Sequence, residues 1–261
     1  MRKDQRPPPQ GRSERLAPRH WSLRTKLAIV LLVPAVVAVA LGGLLIADRA
    51  AQAAELDRVS RFIDAQGEIA TLVERLQQER LLATDHVVTG RAGDPSALEQ
   101  AGVGVDDAGA AARPTVQELY ADDQRLVGAH QQADQALARL PGLRTLVTTS
   151  NAPASAVITR YDDLIAEIVQ LDNALLRGVN TIEVSGLATA LAGLAAARNE
   201  ASLQEALMVM VARGATTGQD LVELQSSQAR LQQSLGEFRG ALDAGQRVRY
   251  APLVAGPTNA D

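Results

Sequence analysis

Leu72–Gly90 reads LVERLQQERLLATDHVVTG. With Ile69 just ahead of it, the positions Ile69, Val73, Leu76, Arg80, Ala83 and Val87 recur at alternating spacings of four and three. That rhythm marks the buried face of a packed helix. Gly90-Arg91-Ala92-Gly93 then stops the helix, because glycine readily takes the left-handed turn that ends one. Five of the six face positions are apolar and the sixth is Arg80. An arginine on an apolar face needs a carboxylate, backbone carbonyls or a bound anion to offset its desolvation. Its planar fork of N–H donors suits oxyanions, since it can grip two oxygens at once. The competing roles for Arg80 are an interior ion pair, or a side chain reaching along the bundle edge to water.

Upstream of this helix lies Leu27–Ile46, LAIVLLVPAVVAVALGGLLI, twenty residues without a charge. As a helix it spans about 30 Å, the thickness of a bilayer's hydrocarbon core. Arg24 and Lys26 precede it, and Asp48 and Arg49 follow. Ala51-Gln52-Ala53 offers a small-residue cleavage pattern. The apolar run is nonetheless longer than a signal peptide's, and an uncleaved anchor is the reading the lengths favour. Residues 1–26 carry eight Arg/Lys against Asp4 and Glu14, a net of +6, while the whole chain is −4. Positive flanks stay in the cytoplasm, so the acidic remainder is expected outside, with Trp21 at the interface. The basic tail is also placed to touch anionic membrane lipid. The expected divisions are a cytoplasmic tail 1–26, a transmembrane helix 27–46, an extracytoplasmic helical domain 47–250 and a short tail 251–261.

The composition points to an all-α protein. Aromatic residues make up 2% and cysteine is absent, so neither disulfides nor thiol chemistry contribute. Ala, Leu, Gln, Glu and Arg are strong helix formers. The acidic balance argues against nucleic acid as a partner. The first helix is expected over 47–89. Asp94 and Pro95 start a second, weakened by Gly102, Gly104 and Gly109 at about 1 kcal/mol each. Pro114 is expected to open a third over 115–140, ended by Pro141-Gly142, with a short turn at 143–149. Later helices are expected over about 151–176, 181–213 and 219–244, the first carrying Val157, Tyr161, Leu164, Ile165, Ile168, Leu171 and Leu175. Long helices joined by short Gly/Pro turns form antiparallel bundles.

A second informative stretch is Leu187–Gly214, LATALAGLAAARNEASLQEALMVMVARG. An apolar face through Leu187, Leu191 and Leu194 leads at the same spacing to Arg198, Ala201, Glu205 and Met208. Arg198, Glu200 and Glu205 are the charges nearest that face. Met208 and Met210 read as core fillers, since no His or Cys accompanies them.

These two stretches resemble the nitrate- and nitrite-sensing (NIT) domain found at the front of actinobacterial membrane sensor histidine kinases. The carrying residues are Trp21–Leu44, WSLRTKLAIVLLVPAVVAVALGGL, then Leu72–Arg80, LVERLQQER, and more loosely Arg198–Leu207. Tyr250–Asp261, YAPLVAGPTNAD, is similar to the family's segment before its return to the membrane. The resemblance implies two helical bundles that share long helices, and a small planar anion, nitrate or nitrite, held between arginines of two helices. It assigns Arg80 as the first of these and Arg198 as the basic residue of the second motif, and a slip in the alignment lets Arg198 or Arg213 serve as the second arginine. It sets Glu205 where the family has arginine, as a site residue or as an ion-pair partner of Arg80. It further implies a homodimer and a cytoplasmic kinase or response-regulator output.

Catalytic signatures are missing. His20, His86 and His130 lack the context of a kinase phosphoacceptor, and no glycine-rich nucleotide loop occurs. Asp106-Asp107, Asp122-Asp123 and Asp162-Asp163 are sequence neighbours, which diverge on a helix, and read as solvated faces rather than acid/base pairs. The expectation is a membrane-anchored, non-enzymatic sensor module with no cofactor. A ligand-free helical scaffold, in which Arg80 is paired within the protein, is the alternative.

Overall fold

The computed structural model describes residues 57–247 apart from 58–59, 123, 179–181 and 244. The described elements are helices: α1 (60–88), α2 (Ser96–Asp122), α3 (Arg125–Thr149), α4 (Ala154–Gly178), α5 (Ile182–Ala212) and α6 (Gly218–Ala241), with one helical turn at 245–247. The all-α expectation is met. The apolar run Leu27–Ile46 and the 251–261 tail lie outside the described residues. Among the described residues no helix is long and apolar enough to cross a membrane.

Helix α1 organises the rest because its buried surface is wider than one seam. Phe62, Ala65, Ile69, Leu72, Leu76, Ala83 and Val87 are buried, and so are Gln77, Glu79, Arg80 and Thr84. One side of α1 meets α2 and α3, with Leu72 near Gly109 and Glu79 bonded to Arg144. The other side meets α5, through Gln77 Nε2 to Asn199 Oδ1 at 3.1 Å and Arg80 to Ser202. Helix α4 lies alongside both groups and is buried along its length from Val157 to Leu175. The fold is therefore two helical bundles that share α1 and α4, with a continuous apolar core drawn from α1 to α5.

The helix ends follow their glycines. Gly90 (φ +71°) closes α1, with Arg91 N–H donating to His86 O at 2.9 Å and Gly90 N–H to Val87 O at 3.0 Å. Gly214 (φ +67°) closes α5 with the matching pair, Ala215 to Met210 O and Gly214 to Val211 O. Both are the two-bond C-terminal motif that needs a left-handed residue. Helix α6 opens on a reciprocal cap between Thr217 and Asp220.

Two prolines do not act as expected. Pro114 lies inside α2 and Pro141 inside α3, so neither opens or ends a helix, and 143–149 continues α3. Both are exposed, while Ala112, Val116 and Leu119 carry the buried face of α2 past one and Leu140, Leu143 and Val147 carry α3 past the other. A proline ring costs one backbone hydrogen bond, and continuous apolar burial outweighs it here.

The buried face of α5 is also displaced from its expected position. Leu187, Leu191 and Leu194 are exposed at 44%, 37% and 45%, while Ala190 and Ala197 are buried. The reason is close approach to α6. A Cβ on Gly193 would stand 2.9 Å from the backbone nitrogen of Phe238, so only a face of small residues lets the two helices pack at this distance. Met210 is a core residue as expected, but Met208 is 53% exposed.

Candidate functional site

Consecutive residues of α1 reach into different bundles and meet consecutive residues of α4. Glu79 meets Tyr161, and Arg80 meets Asp162. Adjacent positions on a helix are about 100° apart, so the two couplings serve opposite sides of the α1–α4 contact.

On the first side, Glu79 is fully buried and its carboxylate is saturated. Oε1 accepts from Tyr161 Oη at 2.8 Å and from Arg144 Nε at 2.8 Å, and Oε2 accepts from Arg144 Nη2 at 3.0 Å. Arg144 also donates to Asp106 at 3.0 Å and to the carbonyl of Gly102 at 2.9 Å. A Cβ at Gly102 would come within 3.3 Å of that guanidinium, so this glycine makes room for the bond. The hydrogen bonds to Glu79 hold Arg144 even more firmly protonated than usual. Burial, with the neighbouring Glu79 charge adding to it, pushes the Tyr161 phenol far above its ordinary range. This cluster is an internal cross-brace of α1, α2, α3 and α4.

On the second side, the Arg80 side chain is 0% exposed. Its Nη1 pairs with Asp162 Oδ1 on α4, and Nη2 donates to Ser202 Oγ on α5 at 3.0 Å. Its Nε is buried without an acceptor. Asp162, 30% exposed, lines a cleft of about 490 Å³ with Ser155, Thr159, Leu207, Thr217, Asp220 and Glu223. Burial raises the Asp162 carboxyl above its usual range, Arg80 opposes this, and the Glu200 and Glu223 charges add to it. Those two glutamates share Arg230, at 2.9 and 2.7 Å.

Arg80 therefore finds its carboxylate in Asp162 and not in Glu205, which is exposed. On α5 it meets Ser202, one turn before Glu205 and oriented into the bundle. Arg198 is 53% exposed and pairs with Glu74 at 2.8 Å, so the structure does not turn it toward Arg80. Arg213 likewise lies at the surface on Asp85, at 3.1 Å. Of the expected solvated pair Asp162-Asp163, Asp163 is exposed and Asp162 is turned into the bundle. The signal that marks it is spacing: Ile158, Asp162 and Ile165 fall at intervals of four and three on the buried face of α4.

The family profile for nitrate and nitrite sensing, NIT, matches residues 71–261. The chain belongs to the NIT family. A NIT domain is a sensing domain and not a catalytic one. A search of curated proteins finds no match. Among solved structures, the NasR transcription antiterminator matches the NIT fold seen here with a TM-score of 0.70 at 18% identity. The match covers 81% of this chain and 58% of NasR, so this chain spans little more than half the length of that protein. At this identity the likeness speaks for the fold alone.

Proposed function

We propose that this protein is the sensing module of a membrane-anchored signalling protein, and that Arg80 is the group that receives nitrate or nitrite. Residues 1–26 form its cytoplasmic tail, 27–46 its transmembrane helix, 47–250 its extracytoplasmic sensor and 251–261 the segment that leads on. The observation that carries the reading is Arg80 itself: a wholly buried guanidinium at the meeting of α1, α4 and α5, with one donor, Nε–H, lacking an acceptor. A buried donor without an acceptor costs about 1–3 kcal/mol, and a small planar oxyanion is the ligand that would relieve it. The membership of the NIT family supports the identity of that anion. In sequence α1 comes after the apolar run Leu27–Ile46, and repacking of α1 against α4 and α5 is the change that the reading passes toward the membrane. The sensor works as a homodimer that feeds a cytoplasmic kinase or response-regulator output.

The test is calorimetric titration of nitrate and nitrite into the full chain in detergent, beside Arg80→Lys. Lysine keeps the charge but loses the fork. Saturable binding that weakens at least tenfold in the variant, with an unchanged helical spectrum, supports the reading. Equal binding by both chains, or by neither, places the function elsewhere. A ligand-free scaffold is the reading that the closed Arg80–Asp162 pair would then favour.

A further inference from the structure

The surroundings of Arg80 are already neutralised. The guanidinium carries one positive charge, and Asp162 supplies one negative charge at Nη1. The surroundings supply more negative charge. Glu200 on α5 and Glu223 on α6 act on Asp162, Arg230 is engaged by both of them, and Asp220 lines the same cleft. Two arginines thus stand against four carboxylates. A second anion on Arg80 either displaces Asp162 into that acidic cleft or sits beside it on the same guanidinium. Both arrangements leave a surplus negative charge in a partly desolvated place, which is strongly disfavoured.

From this geometry we infer that Arg80 accepts a small oxyanion together with a proton, and that the proton goes to Asp162. This rests on the reading of Arg80 as the anion-receiving group. Asp162 is the internal occupant of the site, holding Arg80 when no anion is bound. The proton enters from solvent through the cleft and resides on an Asp162 carboxylate oxygen. The carboxyl group, now neutral, no longer competes for Arg80 Nη1, and the guanidinium pairs with the incoming anion. Charge balances: one anion and one proton enter, and the site's net charge is unchanged. Asp162 is predisposed to this role, since burial and the two glutamates already favour its protonated form while only Arg80 opposes. Asp220 is engaged elsewhere, its carboxylate accepting from Thr217 N–H and Oγ1 at 2.7 and 2.8 Å. Ser202 cannot serve, because its hydroxyl does not titrate in this range.

The coupling is read by titrating nitrate into the full chain in detergent at pH 6, 7 and 8, with Asp162→Asn alongside. Running each titration in two buffers of different ionisation enthalpy counts the protons taken up. Linkage with one proton makes affinity rise about tenfold for each unit that pH falls above the Asp162 pKa. The expected result is that slope in the wild type, close to one proton bound per anion, and a flat profile in Asp162→Asn. Binding by Asp162→Asn at pH 8 is expected to match or exceed the wild type's at pH 6. A flat wild-type profile with no proton uptake overturns the coupling while leaving Arg80 as the anion group. A slope that persists in Asp162→Asn overturns Asp162 as the proton's site. The absence of binding in both folded chains at every pH overturns the anion reading and this inference together. The proton count on the wild type decides the matter even if Asp162→Asn fails to fold.

Discussion

Glu79 and Arg80 are neighbours in sequence, equally buried, and set in opposite kinds of surroundings. On the Glu79 side, each carboxylate oxygen has a donor, and Arg144 is shared among Glu79, Asp106 and the Gly102 carbonyl. On the Arg80 side, one donor has no acceptor and the partner carboxylate faces a cleft. A saturated buried network fixes geometry and has nothing to exchange with a ligand. An unsaturated one, open to solvent through its carboxylate, can change partners. The difference separates a saturated brace from the site we propose for the anion, although both are built from an arginine and an acid.

The largest effect should come from breaking the brace. Glu79→Ala removes three hydrogen bonds at once, leaving Tyr161 Oη without its acceptor and Arg144 with only Asp106 and the Gly102 carbonyl, and should cost about 3–5 kcal/mol in chemical denaturation, the usual penalty for breaking a buried pair. Asp162→Asn keeps an oxygen acceptor for Arg80 and should cost about 1–2 kcal/mol by the same measurement. Equal losses would erase the distinction between the two sides.

Asp172 sharpens the comparison as a buried carboxylate without a cation partner among the described residues. It is 6% exposed, its Oδ1 has no partner, and burial raises its pKa to about 6. A folded-state pKa above the ordinary carboxylate value of 3.8 means that the folded chain prefers Asp172 protonated. The burden is therefore fully felt above about pH 6 and relieved as pH falls toward 4. Asp172→Asn should stabilise the protein by about 3 kcal/mol at pH 7.5, with the gain shrinking toward pH 4 in thermal melts. A gain that is constant with pH would contradict the assignment.

Smaller still is Tyr161→Phe, which leaves Glu79 its two bonds from Arg144 and should cost about 1 kcal/mol. In an alkaline absorbance titration the wild type should show one tyrosine, lost in Tyr161→Phe, that stays silent until the protein unfolds. The smallest effect is expected from Arg198→Ala. An exposed pair with Glu74 is worth less than about 1 kcal/mol, and anion binding should be unchanged. A marked loss of nitrate affinity there would return Arg198 to the site.

Much of this was legible in the sequence, and the misses share a cause. The 69–87 spacing marked α1 and singled out Arg80, and Gly90 and Gly214 end helices as local chemistry requires. Pro114 and Pro141 depart from expectation because a proline's local cost is fixed, while the burial that overrides it depends on what packs across the helix. The face of α5 shifted from the leucines to Ala190, Gly193 and Ala197 because helix approach favours the smaller residues, which hydropathy alone ranks below leucine. Arg80's need for a partner was evident. Its choice of Asp162, 82 positions away, was not, since the pairing depends on the register of α1 against α4. Glu205 differs from Ser202 by only three positions, yet one is exposed and the other enters the bundle.

The most direct test of the account follows Arg80 and Arg144 separately in one sample. With nitrogen-15 arginine in the full chain, the Nε–H signals of Arg80 and Arg144 are assigned through Arg80→Lys and Arg144→Lys and followed during a nitrate titration at pH 6. The account predicts that the Arg80 signal shifts saturably while that of Arg144 stays in place. Movement of Arg144 alone, or of neither signal, would contradict it.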